Sequence, residues 1–202
     1  MTVIGLTGGS GTGKTTALGV LADMGAAAID CDVVYYELLA AGGAILDEIN
    51  FRFPGVVIDG VLDRKALGKI VFQDAEALVD LNIITHKYVC QAVDERLEAL
   101  VRGDDFDIPR PLLVVIEAIA LIESGIAERC DTVIGILAPK AARIRRIAAR
   151  EGVDLAYVTA RIDSQKPDEF FREHCDDTLE NDYNSPAEFA EECRRYFHQI
   201  IT

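Results

Sequence analysis

Gly8-Gly9-Ser10-Gly11-Thr12-Gly13-Lys14-Thr15 is the stretch whose reading decides the rest of this chain. It satisfies the pattern G-x-x-x-x-G-K-[ST] at every fixed position. Glycines let the backbone turn where other residues cannot, so successive N–H groups can face one anion. Before the loop, Thr2-Val3-Ile4-Gly5-Leu6 is a short apolar run suited to a buried parallel strand. After it, Ala17, Leu18, Leu21 and Ala22 recur at helical spacing until Gly25. Such a helix points its positive end at the loop. Lys14 supplies a charge for the β- and γ-phosphates, and the Thr15 hydroxyl is a ligand for magnesium. Thr16 follows in the same first turn. The strand before and the helix after are the context the pattern requires, so the chain is read as binding a nucleoside triphosphate.

Outward from the loop, Ala26-Ala27-Ala28-Ile29 is a second strand ending at Asp30. Further strands are predicted at Leu112–Ile116, Thr132–Leu137 and Thr178–Glu180. Strands alternating with helices indicate an α/β fold with a mainly parallel, five-stranded sheet. Between the second and third strands the periodicity turns helical from Val33 to about Val101, far longer than a usual crossover. We read this as a helical lobe, about 33–110, inserted into a core of about 1–32 and 111–202. Arg102 to Pro111 is a polar return to the sheet. Helices are predicted over Lys140–Arg150, Asp154–Gln165 and from about Pro186 to Ile201.

Several side chains outside the loop can carry chemistry. Asp30-Cys31-Asp32 follows the second strand, and ligands of open parallel sheets bind at the carboxyl ends of strands. One of these carboxylates can take a proton from an attacking hydroxyl, or cap a helix beginning at Val33; the spacing does not choose. Glu117 ends the third strand, where it either serves a metal or its water, or closes the strand. Arg143, Arg146 and Arg150 fall on one helical face, as fingers of a lid over a transferring phosphoryl group or as a solvated surface. Arg145 is read as solvated. His174 and His198 read as surface groups, and His86 as a structural group rather than a base.

Composition sets the outer limits. The 202 residues carry 20 basic and 34 acidic side chains, a net charge of −14, and half are hydrophobic. That excludes a disordered or low-complexity chain. So acidic a chain repels phosphodiester backbones, and no nucleic-acid partner is expected. No apolar run reaches about 18 residues and the start lacks a basic flank, so neither a membrane span nor a signal peptide is expected. The 5 cysteines are widely spaced and odd in number, which signals neither a disulfide framework nor a zinc site. The expected protein is soluble and cytoplasmic.

The residues together resemble the dephospho-CoA kinase family. Gly5-Leu6-Thr7-Gly8-Gly9-Ser10-Gly11-Thr12-Gly13-Lys14 is similar to that family's opening G-L-T-G-G-x-x-[SG]-G-K, and its Asp-x-Asp is present as Asp30-Cys31-Asp32. Asp63-Arg64, then Leu67, Val71-Phe72, Leu81 and His86, resemble its helical-lobe signature. Ile122-Glu123-Ser124-Gly125, Arg146-x-x-x-Arg150, Arg161-Ile162-x-x-Gln165 and Asp176-x-x-x-x-Asn181 follow in the family's order. The resemblance spans nearly the whole chain. It implies the three-layer fold of phosphate-loop nucleoside triphosphatases, with the inserted lobe binding the acceptor and a helical lid at about 140–175. It also implies transfer of the γ-phosphate of ATP, with magnesium, to the ribose 3′-hydroxyl of dephospho-CoA, by a monomer. It carries the general base onto Asp32 and the lid arginine onto Arg146 and Arg143. Thr7, Asp30, His86, Glu123 and Arg143 fall on the acceptor side, and Asn181 near the adenine of ATP.

The chain departs from the family's pattern at Ile119 and Lys87, where the family has proline, and at Arg143, where it has glutamine. These positions belong to substrate-side and lid segments. The rival readings are a phosphate-loop kinase for a nucleoside, a nucleoside monophosphate or another small hydroxyl compound, and a nucleotide-binding regulator without acceptor chemistry.

Overall fold

The structure, a computed structural model, describes residues 1–103 and 111–201. In chain order it runs β1 (Thr2–Thr7), α1 (Lys14–Asp23), β2 (Ala27–Asp30), α2 (Cys31–Ala41), α3 (Ala44–Arg52), β3 (Val57–Ile58), β4 (Val61–Leu62), α4 (Arg64–Val71) and α5 (Ala75–Arg102). It continues with β5 (Leu113–Glu117), a single 3-10 turn, β6 (Thr132–Leu137), α6 (Lys140–Glu151), α7 (Leu155–Asp163), α8 (Asp168–His174), β7 (Asp177–Glu180) and α9 (Pro186–Ile201). Most of the polar return read between Arg102 and Pro111, over 104–110, lies outside the described residues. The chain divides into two compact units, Met1–Ile29 with Pro109–Thr202, and Asp30–Ile108.

The larger unit is built on a five-stranded sheet of order β2-β5-β1-β6-β7. The pairings β1–β5, β1–β6 and β6–β7 are parallel. Parallel strands need both faces covered, and the pleat shows how this is met. Ile4, Leu6, Val115, Ile134 and Ile136 join α1 and α9 in one core, with Phe189, Cys193 and Phe197 of α9 at helical spacing against it. On the opposite face, a Cβ at Gly5 would meet Leu121 and Cys130, and one at Gly135 would meet Phe171 of α8 and Cys175. Two layers of cover on one sheet give a three-layer α/β fold.

The smaller unit packs α2, α3, α4 and α5 around Ile45, Leu46, Ile49, Phe53, Leu67, Val71 and Ile84, all buried. Asp63 and Asp74 cap α4 and α5 by accepting two backbone N–H groups each. The helical periodicity conceals a short antiparallel hairpin, Val57 opposite Leu62 and Ile58 opposite Val61. Its turn is Asp59-Gly60, with φ of 51° and 76°. Those positive angles are what a two-residue Asp-Gly turn supplies, so the signal stood in the sequence. Helix α8 has no periodic signal of its own, because Pro167 opens it over only seven residues.

Candidate active site

The loop from Gly8 to Gly13 joins β1 to α1. Gly8 has φ of 135° and lies so close to the carbonyl of Ile136 that no Cβ fits; Gly13, at 113°, abuts the Asn181 amide and the Phe189 ring in the same way. These two glycines are therefore fixed by backbone angle and by crowding together.

The carbonyls from Gly9 to Gly13 are fastened. Gly9 O accepts from Thr12 Oγ1 at 3.0 Å and Lys14 Nζ at 3.3 Å. Ser10 O accepts from Arg143 Nε at 2.9 Å. Gly11 O accepts from Arg146 Nη1 at 3.2 Å, and Thr12 O from Asn181 Nδ2 at 2.6 Å. Gly13 O receives the N–H groups of Thr16 and Ala17 in the first turn of α1. Two main-chain donors are also used internally, Ser10 N by Gln165 Oε1 and Thr12 N by Gly9 O, so an anion would be met by the other N–H groups of the loop and of the first turn of α1.

Two arginines of α6 hold this arrangement. Arg146 Nη2 donates to Asn181 Oδ1 at 3.0 Å and to Tyr183 O at 2.9 Å, which joins the loop to the segment after β7. Burial pushes the Arg146 guanidinium below its ordinary value, and Arg145 adds to this. Arg143, 4% exposed, is likewise lowered by burial, opposed by Asp168 at 3.8 Å. Asp168 is raised by its own burial, and Arg143 offsets part of that. A guanidinium remains a cation through such shifts. Arg150 turns away and pairs with Glu151, and Arg145 is exposed.

Lys14 forms an ion pair with Glu117 at 3.5 Å. Thr7, fully buried, donates from Oγ1 to Ile119 O at 3.1 Å. Thr15 is exposed and Thr16 half-buried at the start of α1, and Glu123 is exposed in the turn after β5. Thus Ser10, Lys14, Glu117, Arg143, Arg146 and Asn181 form one connected group. Asp30, Asp32 and His86 belong to the smaller unit. There Asp30 Oδ1 accepts from the N–H groups of Asp32 and Val33, at 2.9 and 3.1 Å, and so caps α2, which begins at Cys31 rather than Val33. Asp32 stands exposed in the first turn, and His86 is half-buried on α5. Gln165 and Asp168 carry contacts that the sequence did not assign; only the fold brings them to Arg143.

A loop of this kind suffices to bind a triphosphate. With Arg143 and Arg146 fastened to that loop, and the loop set on a five-stranded α/β sheet, the fold and site are those of the phosphate-loop kinases. The family model for dephospho-CoA kinase matches residues 2–187, and the chain belongs to that family. Among curated relatives, the dephospho-CoA kinase of Moorella thermoacetica is 41% identical over 82% of this chain and 76% of its own. That of Thermobifida fusca is 33% identical over 98% of this chain and 99% of its own. Among solved structures, the dephospho-CoA kinase from Campylobacter jejuni superposes with a TM-score of 0.66 at 27% identity, covering 98% of this chain and 96% of the other. A shikimate kinase from Acinetobacter baumannii, 16% identical with a TM-score of 0.55, shares the fold alone.

Proposed function

We propose that this chain transfers the γ-phosphate of ATP to the ribose 3′-hydroxyl of dephospho-CoA, giving coenzyme A and ADP. The observation that carries the reading is the pair of arginines on a phosphate loop that already has its lysine, in a chain of this family.

In the reaction the acceptor oxygen bonds to phosphorus as the bond between the β,γ-bridging oxygen and phosphorus breaks. The hydroxyl proton goes to the Asp32 carboxylate. Lys14 and the main chain of Gly8–Thr16 hold the triphosphate, while Arg146 and Arg143 balance the charge of the group in flight. Asn181 serves the nucleotide side by bracing Thr12. Thr7, Asp30, His86 and Glu123 serve the acceptor, with the smaller unit as its binding lobe and α6–α8 as the lid.

No group of three or more His, Cys, Asp or Glu that could hold a metal occurs among the described residues. Magnesium in the proposed reaction would be held mainly by substrate phosphates and water, with the exposed Thr15 hydroxyl as its protein ligand. Bound there, magnesium would neutralise phosphate charge. Among the described residues no helix is long and apolar enough to cross a membrane. The small-molecule substrates of the proposed reaction fit a monomer working in the cytoplasm. Coupled measurement of ADP release over a panel of acceptors tests the reading. Release with dephospho-CoA is expected; release only with a nucleoside or its monophosphate would replace the named acceptor.

A further inference from the structure

Ser10 is gripped at three atoms by two side chains. Gln165 Oε1 accepts from Ser10 N at 2.9 Å and from Arg143 Nη2 at 2.8 Å. Gln165 Nε2 donates to Ser10 Oγ at 2.7 Å, and Arg143 Nε donates to Ser10 O at 2.9 Å. Two N–H donors converge on one end of the Gln165 amide, so that end must be the oxygen and the other the NH₂. The Ser10 hydroxyl therefore receives a hydrogen bond from Gln165, and its own hydrogen must be donated in another direction.

That direction has a chemical address. Gly9, the residue before Ser10, has its carbonyl 3.3 Å from the Lys14 ammonium, and the loop lysine serves the β- and γ-phosphates. Ser10 is thus at the end of the loop where the terminal phosphate belongs. We infer that Gln165 is a positioning residue for the γ-phosphate: it sets the polarity of Ser10, so that the hydroxyl donates to a terminal phosphate oxygen, and it holds Arg143 alongside. This deepens the kinase reading and rests on it for the nucleotide, though not for the acceptor. Gln165 lies between α7 and α8, so the same amide ties that segment to the loop.

Calorimetry on the full chain with magnesium tests this, using adenylyl imidodiphosphate, which has a third phosphoryl group, and ADP, which lacks it. Ser10→Ala and Gln165→Ala should each weaken the triphosphate analogue about tenfold and leave ADP within about twofold. Because Gln165 acts through Ser10, the double variant should bind no more than about threefold worse than the weaker single one. Gln165→Glu keeps the shape but places an acceptor where the donor was, so it should bind the analogue worse than Gln165→Ala. A space-filling role predicts the reverse. Losses that multiply in the double variant, equal losses for ADP, or wild-type binding by Ser10→Ala would each overturn the inference. No acceptor is present, so failure with dephospho-CoA leaves this test standing. A wild-type chain that binds neither nucleotide would overturn both readings.

Discussion

Lys14 Nζ stands 3.5 Å from Glu117 Oε1, with the two side chains only 8% and 7% exposed. The parallel register sets this up: Leu6 lies opposite Glu117, so the end of β5 comes level with the start of the loop. Two opposite charges so far from solvent each lose hydration, and keeping both is what makes either tolerable. A phosphate arriving at the ammonium therefore meets a lysine already desolvated and aimed.

Lys14→Ala should accordingly lower turnover by about 10³-fold or more and weaken ATP, because the charge is used where the transferring group becomes most anionic. Steady-state kinetics with calorimetry of ATP and magnesium decides this; unchanged affinity and turnover together would remove the loop from the chemistry. Glu117→Ala removes the carboxylate that pairs with a buried cation and should cost about 3 kcal/mol of stability, read from urea unfolding.

The paired aspartates should separate by role. Asp30 caps α2, and Asp32 stands exposed two residues further on. Asp32→Asn keeps the shape but cannot take a proton, so turnover should fall by about 10²- to 10⁴-fold with ATP affinity near wild type. Asp30→Asn preserves the cap and should cost much less, while Asp30→Ala should lose about 1 kcal/mol of stability. A larger kinetic loss at Asp30→Asn than at Asp32→Asn would reverse the assignment.

How far the sequence could be read follows from the range of each signal. The phosphate loop and the buried strands are local patterns, and a few residues suffice to state them. The Arg143, Arg146 and Arg150 spacing correctly puts three cations on one helical face, yet depth along that face is not periodic. Arg143 is buried, Arg146 half-buried and Arg150 paired outward with Glu151. The Gln165 contacts depend on how α6 and α7 fold back on the loop, for which no local rule exists. The Asp59-Gly60 hairpin has a local turn signal, which the helical periodicity on either side obscures.

Cys193 gives the pH dependence a sign. It is fully buried between Phe189 and Phe197 on α9, and burial pushes its thiol up to about 12. In the unfolded chain a thiol titrates near about 8.5. The folded state therefore holds this proton more tightly, so its contribution to stability is complete below about pH 8.5 and is lost as pH rises from there towards the folded value. Urea midpoints of the wild type should fall more steeply between about pH 8.5 and 10.5 than those of Cys193→Ala, which has no thiol to titrate. Parallel slopes would show that the thiol is not held protonated by the fold.

In the reaction proposed above, the unit Asp30–Ile108 serves the acceptor. That unit has a hydrophobic core of its own, formed by α3, α4, α5 and the hairpin, and so is a folded body rather than a crossover. A body of this size can engage an elongated acceptor along its length, and contacts far from the reacting hydroxyl can be used to orient it. Dephospho-CoA has such a distant part, and AMP, adenosine and uridine do not. Its kcat/KM should therefore exceed theirs by at least ~10²-fold, about 2.7 kcal/mol of transition-state discrimination. Binding energy used for orientation appears in kcat as well as in KM, so the truncated acceptors should lose both. Product analysis should place the new phosphate on the ribose 3′ oxygen. Faster turnover of a nucleoside monophosphate would leave the loop chemistry intact and give the smaller unit a different occupant.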